Sequence, residues 1–141
     1  MSSNELRSEV VQYWWSKAED SLASARREFE AGAYDFAVNR LYYSLFYAAI
    51  SALLDRGQSF KKHAGVRSAF HLQFIKPGIL GTEWGKLYDR LFEDRTDSDY
   101  APLVSFERDY VEGQLVRCND FLTALRPLIA SLNDPGDMNT E

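Results

Sequence analysis

The chain has 141 residues, with 16 Lys plus Arg against 21 Asp plus Glu and a formal charge of −5. That length suits one domain with a core large enough to need no disulfide or metal staple, and 45% hydrophobic residues exclude wholesale disorder. Cys118, the only cysteine, excludes an internal disulfide and a thiolate metal cage, and the acidic total excludes indiscriminate coating of nucleic acid, so any polynucleotide must meet a local basic patch.

Residues 1–8 are polar with no secretory signal, and residues 134–141 follow an Asn-Asp-Pro-Gly break. Both ends are expected to be flexible around a bundle spanning 9–133. The most apolar stretch, residues 45–54, is about half a membrane span. A soluble, cytoplasmic protein with no membrane contact is expected.

The periodicity is helical throughout. Val10, Val11, Trp14, Ala18, Leu22, Ala25 and Phe29 form one long amphipathic helix that Gly32 ends. A second helix is expected from Asp35, as its cap, to Arg56 before Gly57. A shorter third carries Val66, Ala69, Phe70 and Phe74 and breaks at Lys76-Pro77-Gly78. Thr82 can cap a fourth with Trp84, Leu87, Tyr88, Leu91 and Phe92. An acidic loop with Pro102 follows, after which Ser105 can cap a fifth helix running through Val111, Leu115, Cys118, Leu122, Leu125, Ile129 and Leu132. No internal repeat or linker interrupts the chain, so an all-α bundle of about five helices accounts for it.

The second helix is apolar nearly all round except for a polar strip. At 100° per residue, Arg40, Ser44, Tyr47 and Ser51 share that strip, with Asn39 and Tyr43 beside it and Asp55 continuing it. Such groups among apolar neighbours must be hydrogen-bonded or face a wet cleft. Either Arg40 pairs with a carboxylate inside the bundle, or the strip faces a ligand. The remaining apolar surface is too broad for one neighbour, so this helix is either the centre of the bundle or also buries against a second subunit.

Three segments carry a resemblance. Tyr34-Asp-Phe-Ala-Val-Asn-Arg-Leu-Tyr-Tyr43 running on through Ser44-Leu-Phe-Tyr-Ala, then Phe60-Lys-Lys-His-Ala-Gly65, and Arg90-Leu-Phe-Glu-Asp-Arg-Thr-Asp-Ser-Asp-Tyr100 together resemble a prokaryotic HEPN domain (higher eukaryotes and prokaryotes nucleotide-binding), over about Trp14 to Leu132. The likeness implies an antiparallel helical bundle, a homodimer, and pairing with a minimal nucleotidyltransferase as toxin and antitoxin. Many such proteins are metal-independent ribonucleases with Arg, four to six residues, then His. There His takes a proton from a ribose 2′-hydroxyl and Arg steadies charge growing on the phosphate.

Here the matching segment runs from Arg95 to Asp99-Tyr100, with an aspartate where that histidine would stand. An ionised Asp99 repels a phosphodiester, so ribonuclease activity does not carry over through this motif. Arg56 and His63 meet the spacing by coincidence, in a loop. His63 nevertheless sits in the densest basic stretch, where Lys61, Lys62 and Arg67 could hold a phosphate at a helix start; otherwise His63 caps or packs. His71 reads as a surface or core residue. The acidic segment around Arg95 lacks a calcium-loop pattern, so no metal or other cofactor is expected; Arg95 should pair with Asp99 or a neighbouring acid while Tyr100 anchors the loop. The combined expectation is that Arg40, Asn39, Tyr43, Ser44 and Tyr47 converge with Lys61, Lys62, His63 and Arg67 and with Arg95, Asp99 and Tyr100 on one groove. It would bind RNA or nucleotide, with Arg40, His63 and Arg95 as the candidate catalytic groups.

Overall fold

A computed structural model describes the backbone of residues 2–100 and 105–133 and the side chains of 2–96 and 105–133. Helix α1 (Ser3–Glu30) is capped by the Ser2 hydroxyl, which accepts from the Glu5 amide, and so begins one to two turns ahead of its apolar stripe. After Ala31, Gly32 turns the chain at φ +78°, a left-handed conformation that favours glycine. Helix α2 (Tyr34–Asp55) then runs back along α1. Its cap is Ala33, not Asp35; Asp35 lies in the first turn, where its charge suits the helix dipole. Two side-chain bonds fix the antiparallel register: Ser21 Oγ donates to the Arg40 carbonyl at 2.7 Å, and Ser51 Oγ to the Val11 carbonyl at 2.9 Å.

Helix α3 (His63–Phe70) continues into a π-helical turn at 71–75, closed by a bond from the Lys76 amide to the His71 carbonyl. Helix α4 (Thr82–Tyr100) is longer than expected. Residues 93–99, predicted as an acidic loop, lie in its last turns, because no glycine or proline interrupts the chain between Gly85 and Pro102 and acidic residues by themselves do not end a helix. Helix α5 (Arg108–Leu125) starts after Glu107 rather than at Ser105 and stops short of Ile129 and Leu132. Pro127 lies just beyond its end and lacks the N–H a helix needs, leaving two 3-10 turns at 126–128 and 130–132. The second turn is held from a distance: the Asp55 carboxylate accepts from the Ala130 and Ser131 amides and the Ser131 hydroxyl at 3.0, 3.0 and 2.6 Å.

Helix α2 touches all four other helices, which resolves the alternative left by its broad apolar surface: α2 is the centre of the bundle. Tyr42, Leu41, Leu45 and Leu53 of α2 are buried with Phe70, Phe74, Tyr88, Leu91, Phe121 and Leu125, and every element among the described residues is helical, with no strand. Cys118 is buried in this core, and burial raises its thiol pKa, which keeps it protonated and inert. Two polar atoms of the core, the indole nitrogen of Trp15 and the hydroxyl of fully buried Tyr88, have no hydrogen-bond partner among the described residues. An unpaired buried hydroxyl costs about 1–3 kcal/mol. Tyr88→Phe is therefore expected to leave stability unchanged or raise it by about 1 kcal/mol, a gain of roughly 2–5 °C in a domain of this size. A thermal melt showing a clear loss would mean that the hydroxyl is bonded.

Candidate functional site

The polar strip of α2 divides along its length. Ser44 and Ser51 lie on the edge that turns into the bundle: both are fully buried, with Ser44 Oγ donating to the Leu41 carbonyl at 2.6 Å and Ser51 tied to α1. Arg40 is exposed and Asn39, Tyr43 and Tyr47 are half-buried on the other edge. Among the described residues no carboxylate inside the bundle pairs with Arg40; it borders a groove between α1 and α2 with Lys17, Arg27 and Tyr47.

His63 is the first residue of α3, after Lys62 at the cap position. Its ring lies face-on to Phe46 with centroids 4.1 Å apart, stacks at 5.9 Å on Tyr42, and meets Tyr43 edge-on at 5.8 Å. His63 Nδ1 is hydrogen-bonded to the Tyr42 hydroxyl at 3.0 Å. From α4, the Arg95 guanidinium lies over the same two tyrosine rings, 5.3 Å from the Tyr42 centroid and 5.5 Å from that of Tyr43. Two segments far apart in sequence, the Lys61-Lys62-His63 stretch and Arg95, are thus brought together by the Tyr42-Tyr43 pair of the central helix. Lys61 and Lys62 are exposed beside them, and Lys61 borders an apolar cleft of about 360 Å³ whose walls include Trp14, Phe46, Phe60 and His63.

The electrostatics of the cluster favour a neutral imidazole. Desolvation by the packed rings and, after it, the Arg95 charge lower the His63 pKa below its ordinary value, so at neutral pH His63 is the uncharged form that can accept a proton. Burial raises the Tyr42 pKa, against the pull of Arg95, so the phenol keeps its proton. Removing the Arg95 charge should release part of the depression: Arg95→Ala is expected to raise the His63 pKa toward 6.5, read from the imidazole resonances in an NMR titration. An unchanged value would place Arg95 too far from His63 to act on it. Because the folded-state pKa lies below the unfolded one, the unfolded chain alone takes up this proton as pH drops below about 6.5. This contribution to stability is present above that pH and is lost between it and the folded pKa.

Arg67 and His71, one and two turns along from His63, face a different partner. Arg67 Nη1 and His71 Nε2 both reach Asp89 Oδ1 on α4, at 2.8 and 2.9 Å, and the Arg67 guanidinium covers Phe92 at 4.1 Å. Arg67 therefore braces α3 against α4 instead of joining Lys61 and Lys62 at a phosphate. Arg56 packs on Phe74 at 4.2 Å and bonds to Gln73, so its spacing to His63 carries no geometry. The side chains of Asp99 and Tyr100 lie outside the described residues. Among the described residues no group of three or more His, Cys, Asp or Glu side chains is placed to hold a metal ion, and no helix is long and apolar enough to cross a membrane.

Phe46 was missed as a site residue, because its spacing reads as core. So was Lys17, although Tyr13, Trp14 and Lys17 stand at i, i+1 and i+4 on one helix and their contact was legible.

This helical bundle, with an α2 carrying Asn39-Arg40 and Tyr42-Tyr43 packed against His63 and Arg95, defines the class. The HEPN domain family matches residues 11–128, and the chain belongs to that family. A UPF0332 protein of Thermotoga maritima is 39% identical over 126 residues, covering 89% of this chain and 96% of that one. Two proteins of Methanocaldococcus jannaschii, each named "Putative toxin", are 32% identical over 117 residues (83% of this chain, 80% of the relative) and 34% identical over 93 residues (66% and 69%).

Proposed function

We propose that the protein is the toxin-type member of a toxin–antitoxin pair, a homodimer that binds RNA through His63, Arg95 and the Tyr42-Tyr43 pair. One observation carries the reading: a neutral imidazole and a guanidinium from distant segments meet on two adjacent tyrosine rings. Arginine supplies phosphate affinity and the half-buried Tyr43 a face on which a base can stack. Lys61 and Lys62 extend the positive edge. The relatives named as toxins support the biological setting, and the family resemblance supports a minimal nucleotidyltransferase as the antitoxin. The dimer is supported by Leu6, Val10, Tyr13 and Phe60, large apolar side chains exposed to water of the kind subunit contacts cover.

A second reading, metal-independent cleavage, is favoured by the uncharged state of His63, which suits a general base. Binding of a labelled single-stranded RNA in EDTA, followed by anisotropy and then by gel, separates the two. Arg95→Ala is expected to weaken binding about tenfold or more, and His63→Ala to retain most of the binding. Cleavage by the wild type that His63→Ala lacks establishes the ribonuclease; equal cleavage by all three proteins marks contamination and removes it. RNA affinity that ignores Arg95→Ala overturns the binding site. Sedimentation at micromolar concentration should give a particle of twice 16.2 kDa; a monomer removes the dimer.

A further inference from the structure

We infer that Tyr42 is a positioning residue for His63: its phenol donates to Nδ1 and confines the ring proton to Nε2, so that His63 meets RNA as a hydrogen-bond donor and not as a base. The inference deepens the proposed RNA site and rests on that reading for its ligand, but not for the place of the proton.

An uncharged imidazole has one N–H and one bare nitrogen, and the partner of one nitrogen decides the state of the other. His63 Nδ1 lies 3.0 Å from the Tyr42 hydroxyl, a distance that either direction of donation fits. The surroundings of the phenol decide between them. Tyr42 has no exposed surface, burial keeps the proton on its oxygen, and among the described residues Nδ1 is the acceptor its hydroxyl is bonded to. If Nδ1–H were the donor, the phenol proton would be sealed in the core with nothing to accept it. Turning the ring over would set a C–H against the phenol and lose the bond, and the Phe46 ring stacked at 4.1 Å and the Tyr43 ring edge-on at 5.8 Å hold it in place. With Tyr42 donating, the ring proton falls to Nε2. That nitrogen is not among the buried unpartnered atoms, and His63 is half-buried on the wall of the cleft that Gln58, Ser59 and Lys61 also border, so its N–H is open to a ligand.

A histidine that works as a base is backed by an acceptor, a carboxylate or carbonyl that takes the proton of one nitrogen so that the other presents a lone pair. His71 has such a partner, with Nε2 2.9 Å from Asp89 Oδ1. Behind His63 stands a donor instead, and the polarity of the ring is reversed. To take the proton of a ribose 2′-hydroxyl, His63 would first have to break with Tyr42 and move its own proton to Nδ1. As a donor it matches its neighbour: the Arg95 guanidinium over the Tyr42 and Tyr43 rings offers N–H groups alone. Two donors, one charged and one neutral, beside an aromatic face suit the oxygens and the bases of a bound strand, and none of these groups is left to accept a proton from it.

The test reads the ring nitrogens directly, in a long-range proton–nitrogen correlation spectrum of the full chain at neutral pH, with the His63 signals assigned by their absence in His63→Ala. Wild type is expected to show Nε2 as the protonated type and Nδ1 as the bare type. Tyr42→Phe keeps the aromatic ring and should draw the two signals toward each other as the second tautomer becomes populated; a merely structural Tyr42 would lower the melting temperature and leave both nitrogens where they were. On addition of a single-stranded RNA in EDTA, the Nε2 signal should shift while staying of the protonated type, and the RNA should remain intact. A protonated Nδ1 in wild type overturns the inference, as do nitrogen signals unmoved in Tyr42→Phe. So does an Nε2 signal that ignores an RNA the protein binds, or cleavage by wild type that His63→Ala lacks. RNA that binds wild type and Arg95→Ala equally, with the nitrogen signals as expected in the free protein, overturns the RNA site and leaves the tautomer established.

Discussion

Tyr42→Ala is expected to cost about 3–5 kcal/mol, the range for deleting a large buried aromatic, and with it much of the 5–15 kcal/mol that holds a domain folded. Tyr42 has no exposed surface. Its ring meets Tyr43, Phe46, His63, Tyr88 and Phe92 at centroid distances of 5.1 to 6.3 Å, so truncation opens a void where α2, α3 and α4 converge. Tyr42→Phe keeps the ring and loses only the hydroxyl bonded to His63 Nδ1, which should cost about 0.5–1.5 kcal/mol. Urea denaturation followed by circular dichroism measures both. A Tyr42→Ala protein within 1 kcal/mol of wild type would show that the core does not depend on this ring. The pair of variants also separates fold from site, since only the phenylalanine form presents Arg95 and His63 on an intact aromatic surface.

The second large effect is expected at Asp94, which is 3% exposed. Its carboxylate accepts a short hydrogen bond from the Tyr110 hydroxyl and pairs with Arg90 Nε at 3.3 Å. The same hydroxyl accepts from Arg90 Nε at 3.1 Å and Gln114 Nε2 at 3.0 Å, and Arg117 Nη1 donates to Gln114 Oε1 at 3.1 Å. This network ties the end of α4, and thus Arg95, to the start of α5. Asp94→Ala removes the acceptor on which it is centred and leaves the Tyr110 hydroxyl without it, which should cost about 1–3 kcal/mol. Arg90 adds little to that cost, because its side chain is 60% exposed and water takes over its charge. Tyr110→Phe should cost about 1–2 kcal/mol. Because both residues act through one bond, the double variant should be less destabilised than the two losses added, by 0.5 kcal/mol or more. Strict additivity would mean that Asp94 is held by other contacts.

Much of the fold could be read from spacing. The apolar positions of α1, α2 and α4 recur at three and four residues, and a helix shows its buried face through that period alone. The errors came where one residue outweighed the pattern. Pro127 ended α5 although Ile129 and Leu132 continue its stripe, since a missing N–H is a local fact that hydrophobic periodicity does not register. The acidic run after Phe92 stayed helical because charge alone does not break a helix.

For the candidate site, the sequence determined that α2 is either the central rod or a subunit contact, that its polar strip carries Arg40 and Tyr47 with Tyr43 beside it, and that a basic stretch begins at Lys61. Only the tertiary structure decided which of these meet. Helical period fixes the angle of a side chain about its own axis, but partners are fixed by how neighbouring helices cross and by which atoms pack between them. That is why Arg67 went to Asp89, why Ser44 and Ser51 turned inward, why Arg40 opened onto the α1 groove, and why His63 and Arg95, more than thirty positions apart in the chain, ended on the same pair of tyrosine rings.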